Sequence, residues 1–155
     1  MRAKLGSVKL RYFAIAITLA ACARKGRPPD PDLEVARSVA GDAIAVLERE
    51  VAAARTKAPN RDPALGFATC TNALGTVARL RTGPDGPLAE KIEQLCNHEL
   101  PVAELEADLA EVEAGNGTTA CNAFTLARDA VERAAVVDPA VAKLVARYDA
   151  RCAHR

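Results

Sequence analysis

The chain has 155 residues, with 21 basic against 20 acidic side chains, so its formal charge is close to zero. That balance excludes the strongly basic surface that nucleic-acid binding requires. Aromatic residues make up 3% and tryptophan is absent, so any core is built from alanine, leucine and valine, not from large rings. The chain opens on a basic stretch, Arg2, Lys4, Lys9 and Arg11, with no acidic residue before Cys22. A ten-residue apolar run follows, Tyr12 to Ala21, interrupted only by Thr18. It is about half the ~20 residues a membrane-spanning helix needs, so it reads as the core of an export signal and not as an anchor.

The run ends on Leu19-Ala20-Ala21-Cys22. This tetrapeptide, behind a basic start and an apolar core, resembles the lipobox of bacterial lipoproteins. The resemblance covers about the first two dozen residues and does not reach the rest of the chain. It implies that residues 1–21 are a cleaved signal peptide and that Cys22 becomes the first residue of the mature chain. It also implies that the Cys22 thiol carries a diacylglyceryl group and that its new amino group is acylated. Ala23, where aspartate would signal inner-membrane retention, implies delivery to the outer membrane, facing the periplasm or the cell surface. A second reading takes Ala21-Cys22-Ala23 as the small-residue site of the ordinary signal peptidase, which would release a soluble secreted protein. Each buried methylene contributes ~0.8 kcal/mol and a single chain binds only reversibly, whereas the two or three chains of a lipoprotein hold it durably in the bilayer.

Residues 22–31 mix Arg24, Lys25 and Arg27 with Pro28, Pro29 and Pro31, a composition suited to an extended, semi-rigid linker. Loss of the first 21 residues removes four basic and no acidic side chains, which leaves 17 against 20 and a net charge near −3. Residues 32–155 are long enough for one domain with a modest core. Alanine-rich, aromatic-poor composition favours helices over sheets. Asp30-Pro31, Asp62-Pro63 and Asp138-Pro139 each place a capping carboxylate before a proline, which predicts three helix starts. Pro87 and Pro101 predict two more, and Thr118 or Thr119 caps another after the breaker Gly115-Asn116-Gly117.

Apolar residues recur at three- and four-residue steps throughout. From Asp32 to Lys57 the stripe is Leu33, Ala36, Ala40, Ala43, Ile44, Leu47, Val51 and Ala54. Shorter stripes follow: Phe67 to Val77, Leu88 to Cys96, Val102 to Val112, Cys121 to Ala135 and Val141 to Cys152. No segment alternates as a strand would. The expected fold is all-α, a small antiparallel bundle of about five to six helices.

Four further cysteines lie on these stripes and flank two turns: Cys70 and Cys96 around TGPDGP, Cys121 and Cys152 around VVDP. At 1.5 Å per residue, Cys70 and Cys96 stand ~17 and ~14 Å from their turn, and Cys121 and Cys152 ~22 and ~20 Å from theirs. Each pair is level across an antiparallel hairpin, which predicts disulfides Cys70–Cys96 and Cys121–Cys152 in an oxidising, exported compartment. Loop closure of this length is worth ~3.5 kcal/mol apiece.

His98 and His154, the two histidines of the chain, each follow a cysteine by two residues, so Cys70, Cys96, His98, Cys121, Cys152 and His154 form a candidate metal set. Residues two apart point to opposite sides of a helix, whereas chelating pairs use three- or four-residue spacing. The expectation is therefore no metal and no cofactor. Nine acidic residues lie between Asp85 and Glu113 with Lys91 as the one opposing basic side chain, while Arg128, Arg133, Lys143, Arg147, Arg151 and Arg155 tilt the last hairpin basic. Glu104, Glu106, Asp108, Glu111 and Glu113 read as a solvated face, or as a collector of a basic partner or divalent cations. Ser38 is the one serine beyond Cys22, and no nucleophile elbow, phosphate loop or C-x-x-C motif is present, so catalysis is not expected. Two functional classes remain. One is a lipid-anchored helical module that binds an envelope protein or has a structural role. The other is a tethered protein that binds metal or a small ligand through the acidic face or the Cys/His helix ends.

Overall fold

A computed structural model describes residues 30–59, 61–115, 121 and 127–153. Contacts divide the chain into Met1–Asp30 and Pro31–Arg155, and the architecture below is that of the second unit. The expectations for the signal peptide, the linker as far as Pro29, Leu19-Ala20-Ala21-Cys22, Thr118, Thr119, His154 and Arg155 lie outside the described residues, while Pro31, expected to close the linker, already opens the first helix.

The described residues are all-helical, with no strand among them. Helices α1 (Pro31–Arg55), α2 (Pro63–Leu80), α3 (Gly86–Gln94), α4 (Leu100–Glu113), α5 (Arg128–Val137) and α6 (Pro139–Cys152) follow in order, and Leu95–Glu99 is a π-helical turn. The three Asp-Pro pairs do start helices. The Asp62 carboxylate accepts from the Leu65 N–H at 3.0 Å and the Asp138 carboxylate from the Ala140 N–H at 2.8 Å. Both satisfy a donor that the first helical turn leaves unpaired.

Pro101 departs from expectation. It does not open a separate helix, because Gln94, Glu99 and Leu100 all keep right-handed helical backbone and α3, the π turn and α4 run on as one rod. A proline inside a helix lacks its N–H and its ring presses on the carbonyl four residues earlier, here that of Asn97. The chain absorbs this by widening one turn: the Leu100 N–H donates to the Leu95 carbonyl, five residues back. Among the described residues the bundle therefore has five helical rods.

Ion pairs give the rod directions. Arg37 on α1 meets Asp85, Glu48 meets Lys91 and Arg55 meets Glu99, so α1 and the α3–α4 rod run parallel. Between them α2 runs antiparallel to both. Cys70 of α2 is bonded to Cys96 of the π turn, with Cα atoms 5.4 Å apart. The second hairpin is α5 with α6, where Arg128 meets Asp149 and Cys121 is bonded to Cys152 at a Cα separation of 5.7 Å. Both disulfides are those the level spacing predicts. His98 pairs with Asp138, tying the π turn to the cap of α6.

The apolar stripes face inward as the periodicity requires. Ala36, Ala40, Leu47, Val51 and Ala54 of α1 are buried, as are Phe67, Cys70, Ala73 and Val77 of α2 and Val141, Leu144 and Tyr148 of α6. Small residues let the rods approach closely. An added Cβ at Gly66 would stand 3.2 Å from both terminal carbons of Leu100 and 3.6 Å from the Glu50 Cβ. The central element is α4, which packs against α1 and α6 and exposes only Glu106 and Glu113.

Candidate functional site

That central position overturns the solvated-face reading for Glu104, Asp108 and Glu111, while Glu106 and Glu113 are exposed as expected. Glu104 is 2% exposed and Asp108 4%, and Glu111 is half-buried, so three acidic residues at i, i+4 and i+7 share one covered side of the helix. What covers them is the loop between α1 and α2. The last turn of α1 is closed by the Thr56 hydroxyl, which donates to the Ala52 carbonyl at 2.9 Å. Lys57 then takes a left-handed backbone, φ 51°, and turns the chain back over α4.

Arg61, one residue before the α2 cap, lands on the acidic face. Its guanidinium donates to Glu104 Oε2 at 2.6 Å, Asp108 Oδ1 at 2.7 Å and Glu111 Oε1 at 2.7 Å. A planar fork of five donors suits this triple recognition, and an ammonium would not provide it. Glu50 on α1 completes the cluster. Its Oε2 accepts from the Asp62 N–H at 3.1 Å and its Oε1 from Arg49 Nε at 3.2 Å. The loop is thus tied to α1 through Glu50 and to α4 through Arg61.

Charge in this cluster is not balanced. Four carboxylates face one buried guanidinium and Arg49, whose side chain is 64% exposed. Glu104 Oε1 is buried and has no hydrogen-bond partner among the described residues. Burial pushes the Glu104 carboxyl up to about 7, Asp108 and Glu50 push the same way, and Arg61 only partly offsets them. Burial raises the Asp108 carboxyl too, against the pull of Arg61. For Arg61 burial opposes the charge, but the hydrogen bond to Asp108 and the three carboxylates outweigh it and hold its pKa above the ordinary arginine value. An open groove of about 440 Å3, lined by Arg49, Glu50, Ala53, Asp62 and Leu65, adjoins the cluster.

Cys70, Cys96, His98, Cys121 and Cys152 are not brought together as ligands. All four described thiols are consumed in disulfides. Cys96 is buried while His98 points outward to Asp138, the divergence that two-residue spacing dictates. Among the described residues no group of three or more His, Cys, Asp or Glu side chains is arranged to hold a metal ion. The His98 hydrogen bond, helped by the Ala140 N–H, keeps the Asp138 carboxyl below the ordinary aspartate range. Ser38 lies exposed on α1.

Sequence reasoning missed Arg61 and Glu50, and it placed Glu104 and Asp108 in water. A signal for the acidic face was present in the i, i+4, i+7 spacing, which a helix turns into one side. Nothing local marks Arg61 as its partner, since the two are 43 residues apart. Compared with protein-family models, with curated proteins and with solved structures, the chain finds no match in any of the three.

Proposed function

We propose that this protein is a membrane-anchored bacterial envelope lipoprotein, held in the bilayer by acyl chains on Cys22 and carrying a helical domain that binds an envelope protein or has a structural role. The observation that carries the reading is Leu19-Ala20-Ala21-Cys22 behind a basic and then apolar leader. Two disulfides in the domain support it, because such bonds persist in exported proteins and are rare in a reducing cytosol. Ala23 supports the outer membrane as the destination. Among the described residues no helix is long and apolar enough to cross a membrane, so in this reading attachment rests on lipid. The domain binds or braces and does not catalyse.

Intact-mass analysis of the protein extracted from membranes tests the reading. The expected species begins at Cys22, carries two or three acyl chains and has lost four hydrogens to disulfides. Cys22→Ser is expected to yield unacylated protein. A wild-type protein that starts downstream of Cys22, or that carries no added hydrocarbon, overturns the proposal.

A further inference from the structure

Around Glu104 the acids outnumber the bases, and they sit where a loop is fastened to the central helix. The groups that face it are Glu50 from α1, Arg61 from the α1–α2 loop, and Asp108 from α4 itself, with Glu111 one turn further on. From the start of α2, Gly66 approaches Glu50 and brings no charge, and the Asp62 N–H is taken by Glu50. From α6, Arg147 reaches toward Glu113, at 3.9 Å, at the exposed end of α4. With every carboxyl ionised, this covered space holds more negative charge than Arg61 neutralises. One oxygen, Glu104 Oε1, is then buried with no hydrogen-bond donor among the described residues.

We propose that the cluster is a proton-operated catch: a proton on Glu104 holds Arg61, and with it the start of α2 at Asp62, against α4, and loss of that proton loosens it. A neutral Glu104 removes one of the surplus charges, so that the unpartnered Oε1 no longer carries an anion, while Oε2 keeps its hydrogen bond from Arg61. An ionised Glu104 leaves a buried anionic oxygen with no donor among the described residues, and the shortest relief is to lift Arg61 and its loop and admit water.

The direction follows from linkage. In the closed form the Glu104 carboxyl sits at about 7, against an ordinary value of 4.5 once the loop is open. The closed form therefore binds the extra proton. Its advantage is fully present below 4.5, declines as pH rises toward 7 and is gone above that. Asp108, raised in the same sense, adds to the effect. Most surface carboxylates, paired in the folded state, act in the opposite direction.

Hydrogen exchange read by mass spectrometry, on the full-length mature protein in detergent micelles, tests the catch through the amides of residues 56–62. After correction for the intrinsic exchange rate, the opening equilibrium is expected to rise roughly 40-fold between pH 5 and pH 7. In Glu104→Gln, which keeps the shape and cannot ionise, most of that rise is expected to vanish. A glutamine variant with the full wild-type pH dependence overturns the proposal. So does a carbon-13 titration of the wild-type Glu104 carboxyl with its midpoint in the ordinary glutamate range, and that measurement stands even if the variant does not fold.

Discussion

Replacing Arg61 by methionine separates a buried ionic cluster from an ordinary surface one. The arginine side chain is 11% exposed, and its three acceptors differ: the Glu104 and Asp108 side chains are 3% and 5% exposed, whereas that of Glu111 is 38% exposed. Methionine fills the stem volume and removes the fork. Glu111 can turn to water, so its share of the loss is small, as for exposed pairs. Glu104 and Asp108 cannot, and removing one partner of a buried pair leaves charge that costs about 3–5 kcal/mol. Against a total stability of roughly 5–15 kcal/mol for a domain of this size, that is a large fraction.

Urea unfolding followed by far-ultraviolet circular dichroism at pH 7.5, with linear extrapolation, measures this loss directly. A second arm adds Glu104→Gln and Asp108→Asn to the methionine variant. Because the stranded charges are then gone, much of the lost stability is expected to return, giving a coupling energy well above that of an exposed pair. The single variant is also expected to lose less at pH 5 than at pH 7.5, since both acids are more readily neutral there. A loss below about 1 kcal/mol, within the range of exposed pairs, would refute the view of Arg61 as the counter-ion of a buried site.

Removing either disulfide by a paired Cys→Ala change is expected to lower stability by about 3.5 kcal/mol, given loops of 26 and 31 residues. Denaturant titration measures that loss, and non-reducing peptide mapping checks the pairing itself. Gly66→Val drives branched carbons into Leu100, and thermal unfolding is expected to show a loss of about 1–3 kcal/mol from overpacking. Gly66→Ala is expected to sit near neutral, because the gain in helix propensity, up to ~1 kcal/mol, offsets the close contact. Asp62→Ala removes the cap of α2 and is expected to cost about 1 kcal/mol in the same assay.

The parts of the fold legible in the sequence are those set by local chemistry. Asp before Pro wrote the starts of α1, α2 and α6, since both the cap and the missing N–H act within one turn. The buried stripes followed from period 3.6, and the disulfides from counting along two rods joined by a turn. Pro101 was misread because the rule that proline opens a helix ignores the option of widening one turn, which the flanking Leu100 and Cys96, both buried, make favourable here. The Arg61 cluster was hidden for a different reason. An acidic helix face is usually solvated, and what decides otherwise is whether another segment crosses it, a long-range fact that the composition of α4 does not contain.

The same scarcity of large side chains explains both devices that hold this domain together. With Ala36, Ala40, Ala73, Ala89 and Ala134 at its rod contacts, each interface removes little apolar area from water. Closely packed alanine faces also place few constraints on how one rod slides along its neighbour. Each covalent bond removes that freedom within a hairpin, at Cys70–Cys96 and at Cys121–Cys152. Neither disulfide fixes the α1–α2 loop against α4, where Arg61 spans 43 residues to Glu104 and 50 to Glu111. There directional hydrogen bonds to Arg61 replace a crosslink, and unlike a crosslink they are loosened when Glu104 loses its proton. Register in the hairpins is therefore permanent in an oxidising compartment, while the fastening of the first loop follows the acidity of its surroundings.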